Sequence, residues 1–345
     1  MSISPPEVTE KTVTIEDVAR LAGTALSTAS IALNGKSRVS PATRDAVFKA
    51  AKELGYEANY YAQRIKSGCV KTLACFTDTI TGVAGEKVTL LQQEFIRKGF
   101  SAPLHGLGHI SSEEFIEAVK QVRRQRPRAI LFAGSPHKKA LDELRRFRDE
   151  SGIVVCFDNP FPDDFEWVRL DRETAALQAT RHLIEQGHRD IGISLHSTTP
   201  AEGPFTRGFH TAMSEAGLPY RPEWDCPSYP FELAGKALAE QFIAMAKRPT
   251  AFYIVDDRVA TNFVNYILRA GLQIPHDVSV VTHDQARVAE HCIIPLTVVS
   301  HPVSQIVSSV SEMVFSRLED RYQGSPRHSV ITGELIERGS VQRLF

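Results

Sequence analysis

Histidine and cysteine side chains can bind a metal ion, and cysteines can also form disulfides. Three of the twelve histidines, His276, His283 and His291, fall close together, but they form no i, i+4 pair and have no neighbouring acid at metal-ligand spacing. The cysteines contain no C-x-x-C pair; the five are Cys69, Cys75, Cys156, Cys226 and Cys292. We expect no metal site and no disulfide framework, and a reducing cytoplasm fits this odd number of cysteines best.

Catalytic and nucleotide-binding motifs are the next chemistry to consider. Gly82, Gly85, Gly106 and Gly108 do not form the G-x-G-x-x-G pattern that holds a dinucleotide, and the sequence contains no P-loop and no nucleophile elbow. The sequence therefore predicts no catalytic residue and no cofactor, and it favours a binding protein over an enzyme.

The composition is that of a folded globular protein. Of 345 residues, 42% are hydrophobic and 23% are charged, and the formal net charge is −1. This length predicts two or three folding units, and the near-neutral charge gives no overall attraction to nucleic acid or membranes. Residues 14–66 nevertheless carry eight basic against five acidic side chains, a local excess that is compatible with phosphate contacts. No segment approaches the roughly 20 apolar residues of a membrane span, and the N-terminus lacks a secretory signal pattern.

Three short helices form the N-terminal part of the predicted fold. Residues 14–23 begin with a threonine that can cap a helix and repeat apolar residues at i, i+3, i+4 and i+7 before a glycine. Residues 26–33 form a second helix. Residues 44–54 form a third, which Ser40 can cap and Gly55 can end. These helices predict a compact all-α bundle.

From residue 71 onward, short β-branched strands alternate with helices. We predict strands at 72–77, 129–133, 153–157, 191–195, 251–255, 278–282 and 297–300, and helices at 83–98, 112–125, 139–150, 173–186, 206–216, 233–246, 259–270 and 303–322. This alternation predicts right-handed βαβ units in parallel sheets. The length of the region favours two α/β lobes, with a ligand cleft at the carboxyl ends of the strands.

Short motifs recur at fixed spacing along the chain. The first part contains VTIEDVARLAG at 13–23, STAS at 27–30, LNG at 33–35, VS at 39–40, TR at 43–44 and LGY at 54–56. The later part contains TRHLIEQGHRDIG at 180–192, RGF at 207–209, RPTA at 248–251, IPHDVSVV at 274–281 and PLT at 295–297. Together these motifs resemble the lactose-repressor (LacI/GalR) family of bacterial transcription regulators.

This resemblance implies a fold and a domain order. The fold is a small all-α helix-turn-helix headpiece plus an α/β core of two parallel-sheet lobes, similar to periplasmic sugar-binding proteins. The headpiece occupies residues 1–57 with an N-terminal tail at 1–12, and a hinge helix linker occupies 58–68. The two-lobed effector-binding and dimerisation domain follows at 69–345.

The resemblance also implies DNA contacts from the second headpiece helix, whose early residues lie at base edges in the major groove. Leu26 and Ser27 fall where the family reads bases, and Thr28 and Ser30 fall where it contacts phosphates. Ile31 stands where the family often has arginine, so it offers only an apolar contact, for instance to a thymine methyl. The full implied set is Thr14, Leu26, Ser27, Thr28, Ser30, Ile31, Asn34, Arg38, Tyr56, Asn59, Ala62 and Ile65. Alternatively, Leu26 and Ile31 simply pack within the headpiece.

Residues 59–68 match the family's hinge, which in relatives is a short helix that forms on operator DNA. A helix of this length is not stable alone in water, so its folding must be coupled to another event. Ile65 replaces a leucine that relatives push into the minor groove to kink the duplex, and Ala62 permits close approach of two helices. Alternatively, Ile65 only anchors the linker on the core.

By the same resemblance, the residues that line the effector cleft are Asp78, Asp158, Asp171, Phe205, Asp256, His283 and Asp284. Carboxylates there accept hydrogen bonds from hydroxyl groups, which suits sugars, polyols or nucleosides. Phe205 replaces a common arginine, so the cleft should disfavour acidic effectors unless Arg207 or Arg258 reaches into it. The Phe205 ring could instead stack on a sugar or a purine. Taken without the resemblance, each aspartate could be an ordinary surface residue.

These features predict a cytoplasmic, ligand-responsive transcription regulator, a repressor in the simplest case. It would bind a roughly palindromic operator in double-stranded DNA as a homodimer, without membrane attachment, and a small sugar-like, polyol or nucleoside-like effector would switch it. A solute-binding sugar sensor would explain the core but not the headpiece, and it would need an export signal. A hydrolase that uses cleft aspartates such as Asp78 and Asp284 is a further alternative.

Overall fold

A computed structural model describes residues 13–33, 39–56, 71–108, 111–134, 138–159, 161–195, 202–225, 231–284 and 286–344. The chain divides into two compact units, one that ends at Val70 and one that begins at Lys71. The predicted hinge at 58–68 lies outside the described residues, so its boundaries stay a prediction.

The first unit contains the three predicted helices. They are α1 (Ile15–Leu21), α2 (Leu26–Leu33) and α3 (Pro41–Glu53). Thr14 caps α1 through a capping box with Asp17, and the Ser40 side chain caps α3. Small buried side chains from all three helices form the headpiece core; among them are Val18, Ala29, Ala32, Val47 and Ala50.

The second unit contains two sheets, which define an N-lobe and a C-lobe. The N-lobe strands are β1 (Leu73–Thr77), β2 (Leu104–Gly106), β3 (Ala129–Ala133), β4 (Ile153–Asp158), β5 (Glu166–Leu170) and β10 (His328–Ile331). The C-lobe strands are β6 (Ile191–Ser194), β7 (Ala251–Ile254), β8 (Ser279–Asp284), β9 (Thr297–Ser300) and β11 (Leu335–Ile336). The N-lobe sheet has the order β10-β5-β4-β3-β1-β2, and the C-lobe sheet has the order β11-β9-β8-β7-β6. All pairs are parallel except β11 with β9.

Helices cover both faces of each sheet, as the βαβ pattern predicts. The N-lobe is covered by α4 (Gly82–Arg97) and α12 (Val303–Leu318) on one face and by α5 (Ser112–Arg124) and α6 (Lys138–Asp149) on the other. The C-lobe is covered by α7 (Arg172–Glu185) and α8 (Pro204–Glu215) on one face and by α9 (Phe231–Ala244) and α10 (Asp257–Arg269) on the other. A short α11 (Ala286–Glu290) precedes β9.

Three chain crossings join the two lobes. The chain passes from β5 to α7, from β9 to α12, and from β10 to β11. Hydrogen bonds tie these crossings together: Asp171 N donates to Ile331 O over 2.9 Å, and Ser300 N donates to Glu334 O over 2.8 Å. The Ser300 hydroxyl also accepts from Glu334 N over 3.0 Å. The crossings therefore form one hydrogen-bonded group between the lobes.

The structure adds elements that the sequence pattern did not predict. Strands β2, β5, β10 and β11 and helix α11 were not predicted. The last long helix, predicted to reach residue 322, ends at Leu318, and Asp320 then adopts a left-handed backbone with φ 55° that no helix can continue. β11 departs from the expected all-parallel arrangement as an antiparallel edge strand.

Candidate DNA-binding and effector sites

The predicted base-reading face lies at the start of α2. Leu26 is 42% exposed, Ser27 is also exposed, and Thr28 and Ile31 are partly buried. Ser30 is only 7% exposed and lies on the inner side of the helix, a position that does not favour its predicted phosphate contact. An exposed apolar side chain beside a hydroxyl, at the first turn of the helix, is suited to reading base edges.

The remaining predicted DNA contacts are partly described. The Thr14 hydroxyl donates to Asp17 Oδ2 over 2.7 Å within the capping box. Tyr56 packs against the headpiece core, and burial raises the pKa of its phenol. Five predicted positions lie outside the described residues: Asn34, Arg38, Asn59, Ala62 and Ile65.

The predicted effector residue Asp158 ends β4 and is held in a buried network. Lys87, on α4, is 1% exposed and makes an ion pair with Asp158 Oδ1. The Lys87 ammonium also lies 3.1 Å from His301 Nε2, and Arg172 donates to the Asp158 backbone carbonyl. Asp158 adopts a left-handed backbone with φ 81°, a conformation that aspartate tolerates better than most residues. We call Lys87, Asp158 and His301 the Lys87 network.

Charge compensation keeps Asp158 ionised in this buried place. Burial by itself would raise the pKa of the carboxyl, but the attraction of Lys87 and His301, the hydrogen bond from Lys87 and the charge of Arg172 together lower that pKa below its ordinary value. Asp158 therefore stabilises the fold above its unfolded-state pKa of about 4, and this contribution is lost as the pH falls below that value. Burial, together with the negative charge of Asp158, raises the pKa of the neighbouring Cys75 thiol to about 12.

Two further aspartates at the predicted cleft act as helix caps. Asp171 caps α7, where its carboxylate accepts from Thr174 N over 3.0 Å and from the Thr174 hydroxyl over 2.8 Å. Asp256 is 3% exposed and caps α10 by accepting from the backbone amides of Arg258 and Val259. The Arg258 guanidinium also pairs with Asp256 over 2.8 Å. Both carboxylates are thus largely occupied by contacts within the protein.

A cluster of aromatic side chains, Phe205, Tyr253 and His283, lies near the strand ends of the C-lobe. Phe205 is 6% exposed and packs in the apolar core under α8, with its ring edge-on to Tyr253 at 6.4 Å and to His283 at 5.2 Å. The His283 ring in turn lies 6.1 Å from the His301 ring. His283 and His301 therefore connect the C-lobe aromatic group with the Lys87 network.

The last two predicted cleft residues lie at other strand ends. Asp78 follows β1 and is exposed, and its carboxylate packs so closely on Gly134 that a Cβ there would lie 2.1 Å from Asp78 Oδ2. Asp284 ends β8, and its side chain lies outside the described part of the structure. The backbone thus brings Asp78 and Asp158 to one edge of the N-lobe sheet, where their parallel strands end.

Comparison with known proteins places this architecture in a family. Residues 14–59 match the family described as bacterial regulatory proteins, lacI family, and residues 180–341 match the periplasmic binding protein-like domain. The HTH-type transcriptional repressor PurR of Vibrio parahaemolyticus is 28% identical over 334 residues, which cover 96% of this chain and 99% of that relative. The PurR repressor of Erwinia tasmaniensis is 29% identical and covers 95% of this chain and 96% of its own length. The chain belongs to the LacI family.

Solved structures agree with the fold of this LacI-family chain. The lac repressor dimer bound to operator and the anti-inducer ONPF superposes with a TM-score of 0.83 at 20% identity, over 96% of this chain and 100% of that chain. The transcriptional regulator CelR in complex with cellobiose superposes with a TM-score of 0.67 at 24% identity, over 95% of this chain and 99% of that chain. The predicted headpiece and two-lobed core are confirmed.

LacI-family membership decides between the classes of function considered above. The relatives are transcriptional repressors, so this LacI-family chain is a transcriptional regulator and not a hydrolase. Within the described residues, no helix is long and apolar enough to cross a membrane. In the same part of the chain, no group of three His, Cys, Asp or Glu side chains could hold a metal ion.

Sequence reasoning missed the basic side chains at the strand ends of this LacI-family core. Lys87, Arg172 and His301 were not among the predicted site residues, although they surround Asp158. The two arginines that were considered are paired elsewhere: Arg207 with Glu173 over 2.8 Å and Arg258 with Asp256. Lys87 carries no sequence signal, because its partners lie 71 and 214 residues away.

The two roles of Asp256, cap and charge, can be separated by substitution. Asp256→Ala removes the cap of α10 and is expected to lower the free energy of unfolding by about 1–2 kcal/mol, whereas Asp256→Asn keeps a capping oxygen and should cost less than about 0.5 kcal/mol. The Arg258 pair adds little because Arg258 is 42% exposed. Urea unfolding of both variants measures the difference. An equal loss in both would show that the ion pair, rather than the cap, stabilises this site.

Proposed function

We propose that this LacI-family regulator is a repressor that binds a roughly palindromic operator as a homodimer and is switched by a small, carbohydrate-like effector. The observation that carries the proposal is the presence, on one chain, of a helix-turn-helix headpiece and a two-lobed core in the order of repressors that match along 96% of its length. Because it acts on chromosomal DNA, its place in the cell is the cytoplasm.

Dimeric DNA binding is supported by the size of the reading element. Helix α2 has eight residues, and only its first turn, with Leu26 and Ser27, presents exposed side chains to base edges. Such a helix reads too few base pairs for a unique site, and two-fold symmetry doubles the contacts. The lac repressor structure, which is a dimer bound to operator, supports the same arrangement here.

A neutral, hydroxyl-rich effector is supported by the electrostatics of the strand ends. The charge of Asp158 is balanced by Lys87, and the charge of Asp256 is balanced by Arg258. These two ion pairs therefore offer a charged ligand neither an excess of negative charge nor an unpaired cation. The Asp78 side chain is exposed at the end of β1, and carboxylate oxygens accept hydrogen bonds from hydroxyl groups. Two solved relatives of the same fold carry sugars, cellobiose in CelR and ribose in a regulator of Enterococcus faecium.

In the proposed mechanism, effector binding changes the angle between the lobes and thereby the spacing of the two headpieces in the dimer. The hinge at 58–68, with Ile65 as the side chain that enters the minor groove and Ala62 at the contact of two hinge helices, orders only when that spacing fits the operator. Coupling of this kind requires the effector to bind the two lobe arrangements with different affinity.

Selection of DNA from a random duplex library by the full-length protein tests the proposal. We expect enrichment of a two-fold symmetric site. Leu26→Ala should weaken binding to that site by about tenfold or more, because a lost base contact costs about 1–3 kcal/mol. Leu21→Ala is the matched control, since Leu21 is 48% exposed but lies on α1, outside the reading helix. Equal effects of the two substitutions would contradict the reading role of α2.

The effector class is tested on the same protein by a thermal-shift screen of sugars, polyols and nucleosides. A compound that raises the melting temperature should also change the affinity for the selected DNA, and it should not be converted to product. If no duplex is enriched over random competitor with or without these compounds, the proposed function is wrong. Turnover of a compound would contradict the proposed role of the cleft as an effector sensor.

A further inference from the structure

Asp158 has one carboxylate oxygen that is held by the protein and one that is not. Oδ1 makes the ion pair with Lys87. Oδ2 has no hydrogen-bond partner among the described residues. The side chain is 11% exposed, and Oδ2 is not one of the fully enclosed polar atoms that lack a partner, so it keeps some contact with solvent. A largely buried carboxylate therefore presents an open acceptor at the carboxyl end of β4.

Several contacts fix the position of this acceptor. The Asp158 backbone lies opposite Arg169 of β5 in the N-lobe sheet, and Arg172 donates to the Asp158 carbonyl oxygen. Lys87, which is 1% exposed on α4, holds Oδ1. His301 Nε2 lies 3.9 Å from the same oxygen and directly follows the C-lobe strand β9, so the carboxylate lies where the lobes meet. An acceptor that is fixed in advance binds a ligand without the entropic cost of ordering it.

Two other aspartates of the predicted cleft differ from Asp158, because each of their oxygens already accepts a hydrogen bond. The Asp171 oxygens accept from the amide and the hydroxyl of Thr174. The Asp256 oxygens accept from the Arg258 guanidinium and from the backbone amides of Arg258 and Val259. Among these three carboxylates, Asp158 Oδ2 is therefore the oxygen that still lacks a donor.

We propose that Lys87 is a positioning residue of the effector site, which holds Asp158 by Oδ1 and directs Oδ2 toward a neutral hydroxyl group of the effector. The inference rests on the proposed function, because it assigns one contact in the cleft where that function places the effector. An ionised carboxylate only accepts, so the ligand group must donate, and a hydroxyl donates without a charge of its own. A ligand carboxylate would be repelled by Asp158, and a ligand ammonium would lie beside the Lys87 ammonium.

Calorimetric titration of the full-length protein with ribose, glucose, cellobiose and inositol tests the chemistry of this contact. We expect one of these compounds to bind. Among its monodeoxy derivatives, one should bind about tenfold or more weakly, because a hydrogen bond to a charged group is lost. We call this compound the critical deoxy derivative. An ammonium group at the same carbon should not restore the affinity, since it would add a cation next to Lys87.

Variants show whether Lys87 positions the acceptor. In Lys87→Met, the parent compound and the critical deoxy derivative should bind about equally, because Oδ1 is no longer held. A change that only destabilises the fold would weaken both ligands alike and leave their affinity ratio unchanged. Lys87→Met combined with Asp158→Asn should also lose the discrimination, and it carries the test if Lys87→Met alone does not fold, since it leaves no charge unpaired. Lys120→Met makes the same change on the surface of α5 and should keep the wild-type ratio.

Three outcomes would overturn this assignment of Lys87. The first is a full wild-type affinity ratio in Lys87→Met or in the double variant. The second is that none of the four compounds binds, and the third is that the ammonium derivative binds as tightly as the parent compound. None of these outcomes changes the selection of operator DNA, so failure of this inference is distinguishable from failure of the proposed function.

Discussion

Lys87→Met is expected to lower the free energy of unfolding of the core by about 3–5 kcal/mol, the range for removing one partner of a buried ion pair. The methionine side chain fills nearly the same space, so the loss comes from Asp158, which would be left ionised and 8% exposed without its closest cation. Asp158 would then have to take up a proton or draw in water. Denaturant unfolding of the purified protein, followed by circular dichroism, measures the loss.

A second substitution shows whether the loss is electrostatic. Asp158→Asn added to Lys87→Met removes the orphaned charge, and asparagine tolerates the left-handed backbone at this position at least as well as aspartate. We expect the double variant to regain most of the stability, because replacing both partners of a buried pair is often close to neutral. Lys120→Met is the surface control, since Lys120 is 38% exposed in a weak pair with Glu117, and it should cost less than about 1 kcal/mol. If the double variant is no more stable than Lys87→Met, packing of the lysine stem explains the loss.

The elements that the sequence predicted well are those whose signals are local. Helix α3 begins at a proline after a capping serine, three residues before its predicted start, and ends one residue before its predicted end. Strand β3 is a run of five buried apolar residues and has the predicted bounds. Capping side chains and periodic apolar residues act over a few positions, so they can be read without knowledge of the fold. The same holds for the alternation of strands and helices that predicted parallel α/β sheets.

The elements that the sequence did not predict depend on distant partners. Strand β5 begins with Glu166, which is 4% exposed because Arg317 and Arg327 pair with it from more than 150 positions away. Strand β10 joins the N-lobe sheet only by pairing with β5 after the chain has passed through the C-lobe. A charged residue at the start of a strand gives no apolar signal, so neither strand could be recognised from a local pattern.

The residues of the candidate cleft also divide into those with a local sequence signal and those whose partners are distant in sequence. Asp171 and Asp256 each directly precede a helix, and this local signal is enough to interpret both as N-caps. The burial of Lys87 has no such signal, since a lysine on an amphipathic helix is ordinarily exposed. The family resemblance placed aspartates at strand ends, but it could not show that a buried lysine pairs with one of them.

A second substitution with a large expected effect on stability is at Gly333, in the crossing from β10 to β11. A Cβ at this position would lie 2.0 Å from the backbone oxygen of Ser300 and 3.3 Å from a methyl group of Val299. The first contact is with backbone, which cannot rotate away as the end of a side chain can. Gly333→Ala must therefore push the β10–β11 crossing away from the end of β9.

We expect Gly333→Ala to lower the free energy of unfolding by about 2–4 kcal/mol, from overpacking together with weakening of the two hydrogen bonds between Ser300 and Glu334. The matched control is Gly339→Ala in the same C-terminal segment, where a Cβ would lie 3.9 Å from Pro295 O, an ordinary contact, and should change stability by less than about 1 kcal/mol. Denaturant unfolding of both variants makes the comparison.

Because Ser300 directly precedes His301, Gly333→Ala should also reduce hydrogen-exchange protection at the β9–α12 crossing at neutral pH, while Gly339→Ala should not. Equal stability of the two variants would mean that the crossings separate easily, and the lobes would then be joined less tightly than these contacts indicate.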